Sequence, residues 1–133
     1  MTHGESQRIQ VIKTDKAGPP VGPYSQGIKA RGFIFVAGEK GIDPVTKQIV
    51  PGGIEAETRR TLENIKAILE EAGSSMDLVV STFVFMTDLR EFPKMNAIYA
   101  DYFKANPPGR TTVEVKGLPV GAHVEITVTA LDG

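Results

Sequence analysis

Hydrophobic and polar positions change period several times along the chain. Ile9 and Val11 alternate with polar neighbours and predict a short first strand. Residues 28–30 and 33–38, separated by Arg31-Gly32, predict a hairpin. The second of these runs is apolar without alternation, which predicts an inner strand covered on both faces. Over residues 54–72 the period becomes three and four. Leu62, Ile65, Leu69 and Ala72 form one stripe of a helix with Ile68 beside it, and Gly73 stands where a helix stops. Residues 78–86 are β-rich and predict a central strand. A second helix is predicted over 92–104, with Pro93 in its first turn and Met95, Ile98, Tyr99, Tyr102 and Phe103 as its apolar stripe. Asn106-Pro107-Pro108-Gly109 ends it, and two β-runs, 110–115 and 123–130, close the chain. Helices set among a larger number of strands predict an α+β sandwich, one mixed sheet with both helices packed on one face.

Between these elements lie turns. Prolines and glycines over 17–23 make a rigid loop that presents Tyr24. Asp43-Pro44 and Pro51-Gly52-Gly53 bracket a loop with a short extended piece over 48–50. Residues 1–8 are expected to be a flexible terminus and 9–133 a single domain.

Composition narrows the chemistry. The chain has 133 residues, no cysteine, two histidines and a formal net charge of −1. Thiolate nucleophiles, disulfides and cysteine metal sites are excluded, and a multi-histidine metal centre is not expected. The charge balance gives no field that would attract nucleic acid or an acidic membrane. The polar start has no signal-peptide core, and no apolar run approaches the ~20 residues of a membrane span, so a cytoplasmic setting is expected.

Strand parity then sorts the candidate residues. In the last strand Val124, Ile126, Val128 and Ala130 point one way, towards the helices, and Glu125, Thr127 and Thr129 point the other way. In the preceding strand the same rule puts Val113 and Val115 on the helix side, and Arg110, Thr112 and Glu114 on the uncovered side. Threonine and valine outnumber lysine on that uncovered face, which favours cover by other copies of the chain over solvent. Arg110 is either a guanidinium fork for a small carboxylate or a surface ion pair, for instance with Glu114. Glu125, a carboxylate in mid-strand, is either a group that orients water and moves a proton or an exposed strand residue. Tyr24 can hydrogen-bond a ligand or simply pack. Asn96 reads as a helix-surface residue and His123 as a turn residue. The charges of the first helix, Glu57 among them, read as a solvated face.

The ordered segments Gly22-Pro23-Tyr24-Ser25-Gln26-Gly27, Phe35-Val36-Ala37-Gly38, Asp43-Pro44, Thr61-Leu62-Glu63-Asn64-Ile65, Asn96-Ala97-Ile98-Tyr99, Pro108-Gly109-Arg110-Thr111-Thr112-Val113-Glu114-Val115 and Val124-Glu125-Ile126 resemble the YjgF/RidA family of imine and enamine deaminases. The likeness runs from about residue 9 to 131. It implies a chorismate-mutase-like α+β fold of the bacillus type, with a six-stranded mixed sheet and two helices on one face. It also implies a homotrimer with ligand sites between subunits, and neither metal nor organic cofactor. The implied reaction is hydrolysis of 2-imino or 2-enamino acids, such as 2-aminoacrylate and 2-iminobutanoate, to 2-oxo acids and ammonia, a form of metabolite damage control. Arg110 would clamp the carboxylate, Glu125 would activate water, and Tyr24 would hydrogen-bond the ligand. Ala37, Gly38, Asn96 and Thr112 would line the site. Ala37 stands where the family has a serine, Glu39 follows Gly38, and Thr112 stands where a cysteine is frequent. The missing hydroxyl keeps a non-catalytic module that binds 2-oxo acids as the alternative, with Glu39 and Lys40 as charges that could select another ligand. A ribonuclease or translation inhibitor, also associated with the family, ranks below both because a basic patch and a histidine pair are lacking.

Overall fold

The structure, a computed structural model, describes residues 8–133. Of the expected flexible terminus over residues 1–8, residues 1–7 lie outside the described residues. The described chain forms six strands and two α-helices: β1 Gln10–Ile12, β2 Gly27–Ala30, β3 Phe33–Glu39, α1 Gly53–Glu71, β4 Val79–Met86, α2 Phe92–Ala100, β5 Gly109–Glu114 and β6 Val124–Leu131. One mixed sheet has the order β1-β2-β3-β6-β4-β5. β6 lies antiparallel between β3 and β4, and β5 runs parallel to β4 at the edge. Each helix therefore belongs to a crossover, α1 between β3 and β4, and α2 between β4 and β5. This is the expected six-stranded α+β architecture.

The core fills the space between the helices and one sheet face. Leu62, Ile65, Ile68 and Leu69 of α1 and Met95 of α2 pack against Ile34, Val36, Val84, Val124, Ile126 and Val128. The stripe read from helical spacing is thus the buried stripe. α1 ends as expected, with Gly73 at φ 83° and the Ser74 N–H donating to the Leu69 carbonyl at 2.8 Å. α2 stops at Ala100, four residues short of the expected end. Tertiary contacts hold the rest of its aromatic stripe instead: Tyr102 Oη donates to Glu63 at 2.6 Å, and the Phe103 ring lies 4.6 Å from that of Tyr99.

Three expectations need correction. β3 is an inner strand, but only one of its faces is covered within the chain. Ile34 and Val36 are buried, whereas Phe33 and Phe35 are exposed. An unbroken apolar run cannot distinguish a second layer of the same chain from a bare face. Glu57 is not on a solvated helix face. It is buried, and its carboxylate accepts the His123 backbone N–H at 2.8 Å and meets His123 Nδ1 at 2.6 Å. His123 is thereby a tie between α1 and the start of β6, not a plain turn residue.

The third correction concerns β5. Arg110 lies opposite Thr82, and Thr112 opposite Val84. Thr82 and Val84 are buried under the helices. Arg110, Thr112 and Glu114 therefore share the helix side, and Val113 borders the uncovered side. Parity misleads here because β5 is an edge strand. Its helix side meets the rings of α2 instead of the apolar core, so its valines do not mark the buried face.

Candidate active site

A β-bulge creates one half of the candidate site. Val36 pairs with Val128 and Glu39 with Ile126, so β3 spends one extra residue between them. The extra residue shifts parity. Glu39 turns to the helix side and is buried, while Gly38 comes directly beneath Glu125 of β6. A Cβ built on Gly38 would lie 2.8 Å from Glu125 Cδ and closer still to Oε2. Glycine leaves the room that the Glu125 carboxylate occupies there, a matter of proximity and not of backbone angle. Ala37 is held by its N–H, which donates to the Gln26 carbonyl at 2.9 Å.

Lys40 follows. Its side chain is 5% exposed, and Nζ donates to the Gly38 carbonyl at 2.9 Å and stands 3.7 Å from Glu125 Oε1. The same ammonium lies 5.8 Å from the centre of the Tyr24 ring. Tyr24 Oη accepts the Val21 N–H at 3.0 Å, which fixes the ring and leaves its own proton free to donate. Tyr24, Gly38, Lys40 and Glu125 thus form one cluster on the uncovered side of the sheet. Glu39 lies behind it. Burial pushes its carboxyl up to about 8, with Lys40 opposing and Glu125 adding to the shift, so it is protonated at neutral pH.

The second half lies at the other edge of the sheet. The Arg110 guanidinium carbon is 4.7 Å from the centre of the Tyr99 ring and 5.3 Å from that of Phe92, both on α2. Tyr99 Oη is fixed by Thr82 Oγ1 at 2.8 Å. No described carboxylate stands within ion-pair distance of Arg110. Glu114 instead accepts the Leu89 N–H at 2.8 Å. A guanidinium spread on two rings without a counter-ion keeps its fork of donors for an anion. Asn96 lies between Phe92 and Tyr99 on the same helix stripe, and its Oδ1 is buried without a hydrogen-bond partner. Thr112 is half-buried two residues along from Arg110.

One chain therefore does not bring all the predicted residues together. Glu125 pairs with Phe85 and faces the uncovered side, whereas Arg110 faces α2. Sequence reasoning missed Tyr99 as the platform for Arg110 and Lys40 as the partner of Glu125. The charged pair flanked by Gly38 and Gly41 was the available signal, since glycines on both sides of a strand end mark a bulge or a close approach.

Residues 14–132 match the Endoribonuclease L-PSP family. The chain belongs to it. The YjgF/RidA resemblance and this assignment coincide. A RutC family protein of Pyrococcus abyssi is 51% identical over 121 residues, 91% of this chain and 95% of that one. The human 2-iminobutanoate/2-iminopropanoate deaminase is 40% identical over 124 residues, covering 93% of this chain and 90% of that one. Among solved structures of the family, RidA from an Antarctic Psychrobacter superposes with a TM-score of 0.89 at 38% identity, over 92% of this chain and 98% of that one. Escherichia coli TdcF with bound serine superposes with a TM-score of 0.88 at 34% identity, over 93% and 99%.

Proposed function

We propose that the protein is a hydrolase that deaminates small 2-imino acids, and that two copies of the chain complete each site. The observation that carries the reading is Arg110, a guanidinium without a described carboxylate partner that lies against two rings on the same helix stripe as the partnerless Oδ1 of Asn96. The 40% identity to a mammalian imine deaminase supports the same reading. Because Arg110 and Glu125 lie on opposite sides of one sheet, a neighbouring copy has to supply one of them. The exposed apolar residues of the uncovered face, Phe35 at 47% and Phe83 at 46% among them, favour such cover. A homotrimer in a cytoplasmic setting is the form we propose.

In this site Arg110 fixes the substrate carboxylate through paired N–H donors. Glu125 orients a water and takes its proton as the oxygen adds to the C=N carbon. Glu125 returns that proton to the nitrogen to give the carbinolamine. The carbinolamine hydroxyl then gives up its own proton, which passes to the leaving nitrogen as the C=O forms and the C–N bond breaks, and the products are a 2-oxo acid and ammonia. Tyr24 donates its free hydroxyl proton to the bound ligand. Ala37, Gly38, Asn96 and Thr112 shape the pocket.

The test is to supply the imine from a threonine dehydratase acting on threonine or serine and follow its loss. The parent should accelerate hydrolysis. Arg110→Ala should lose about 100-fold in kcat/KM, the scale of a charge-assisted bidentate contact. A rate equal to the parent's in that variant rules the reading out. Ala37 keeps a second reading open, a module that binds 2-oxo acids without turnover. It is selected by saturable binding of 2-oxobutyrate with no gain in hydrolysis. Cleavage of RNA by both Arg110→Ala and Glu125→Ala protein would instead point to a nuclease.

A further inference from the structure

We propose that Lys40 is a positioning residue for the site, holding Glu125 as an anion with one oxygen engaged and the other turned to the ligand side. This rests on the reading of Glu125 as the group that holds the attacking water.

The argument begins with cost. A lysine whose side chain is 5% exposed carries its charge into a mostly desolvated place and is tolerated only with compensating partners. Here the partners are the Gly38 carbonyl at 2.9 Å and Glu125 Oε1 at 3.7 Å. A methionine of similar length would fill the same space without that cost, so packing does not call for a charge. The backbone around Lys40 is also fixed from several sides. Asn64 Nδ2 of α1 donates to the Lys40 carbonyl at 3.1 Å and to the Ile42 carbonyl at 2.9 Å. At Gly41 a Cβ would lie 2.9 Å from Glu57 Cα, so the chain presses against α1 there. Lys40 is thus held in place by the same contacts that dock the segment after β3 onto α1.

The consequence for Glu125 is specific. Glu125 Oε1 faces the ammonium, and Oε2 lies over Gly38, where no side chain intrudes. Lys40 and Glu39, at the end of β3, are the charged or titratable neighbours recorded for it among the described residues, the Tyr24 ring lies 5.8 Å from the Lys40 ammonium, and β4 presents Phe85. Glu39 is neutral near pH 7. Lys40 is therefore the cation that balances Glu125, and a carboxylate that must accept a proton from water has to begin ionised.

The experiment reads Glu125 directly. Its side-chain 13C carboxyl resonance, assigned by its loss in Glu125→Gln, is titrated in the parent, Lys40→Met and Lys40→Arg. The midpoint should rise by about one pH unit in Lys40→Met and return towards the parent in Lys40→Arg, as removing and restoring a close cation requires. Deaminase assays should show kcat about tenfold or more lower in Lys40→Met with KM little changed, and recovery in Lys40→Arg. An unmoved Glu125 midpoint overturns the proposal, as does a rise in KM with kcat unchanged, which would make Lys40 a ligand contact. Lys40→Gln keeps a donor for the Gly38 carbonyl without the charge and gives the same readings if the methionine variant folds poorly. A shifted midpoint in a protein without deaminase turnover would leave the role of Lys40 intact and refute the assigned reaction instead.

Discussion

Gly38 shows how one absent side chain makes room for a carboxylate. The backbone passes so close beneath Glu125 that a methyl group would meet its carboxyl carbon at 2.8 Å. Gly38→Ala should therefore fold and assemble as the parent does while displacing the carboxylate. We expect kcat to fall about tenfold or more, since displacements of an ångström at a reacting group carry penalties of that order. Steady-state assays beside a melting curve check it. An unchanged kcat would mean that Glu125 does not act from this position. At the same scale, Arg110 and Glu125 were legible in the sequence as residue types out of place, a lone arginine after a Pro-Pro-Gly turn and a carboxylate in mid-strand. The side of the sheet that Arg110 occupies was not legible. Its register partner, Thr82, is 28 residues upstream, and parity within six residues of edge strand carries no record of that pairing.

At the scale of elements, the bulge in β3 buries one titratable group, Glu39, and the tie between α1 and β6 pairs another, His123, with a carboxylate. Glu39 has its carboxyl raised from 4.5 to about 8. The unfolded chain releases this proton near the ordinary value while the folded chain keeps it, so stability is fully present below about 4.5 and is lost as pH rises through about 8. Glu39→Gln should remove that dependence and raise the melting temperature measured at pH 8. No gain there would mean that Glu39 is ionised and paired in the fold. His123 is raised above 6.5, first by its hydrogen bond to Glu57 and then by the charge of that carboxylate. Its contribution is complete below 6.5 and declines as pH rises through the higher folded value. The parent should consequently melt highest in mildly acidic buffer, and Glu39→Gln with His123→Ala should flatten the profile. The stripe of α1 announced its buried side chains. Glu57 did not announce itself, because a carboxylate on a charged helix looks the same in sequence whether it meets water or His123.

At the scale of the whole molecule, the layer order followed from period changes alone, because a change from period two to period 3.6 is a local property of the chain. The site did not follow, because its candidate residues are local neither in the chain nor to one side of the sheet. Its two halves occupy opposite sides of the sheet, and the uncovered side presents Phe33, Phe35 and Phe83. Phe35→Glu should leave each chain folded yet reduce the solution mass towards the 14.3 kDa of a single chain, read by light scattering, with deaminase activity lost alongside. A parental mass in that variant would place the contact elsewhere.

The central claim, that Arg110 of one copy works with Glu125 of another, is tested most directly by complementation. Arg110→Ala and Glu125→Gln proteins should each be inactive as separate assemblies. Mixed in equal amounts and reassembled by co-refolding, they should regain about a quarter of the parental rate. Half the sites draw a sound arginine and half of those also draw a sound glutamate from the neighbouring copy. If Arg110 and Glu125 of the same chain made the site, the mixture would stay as inactive as its components.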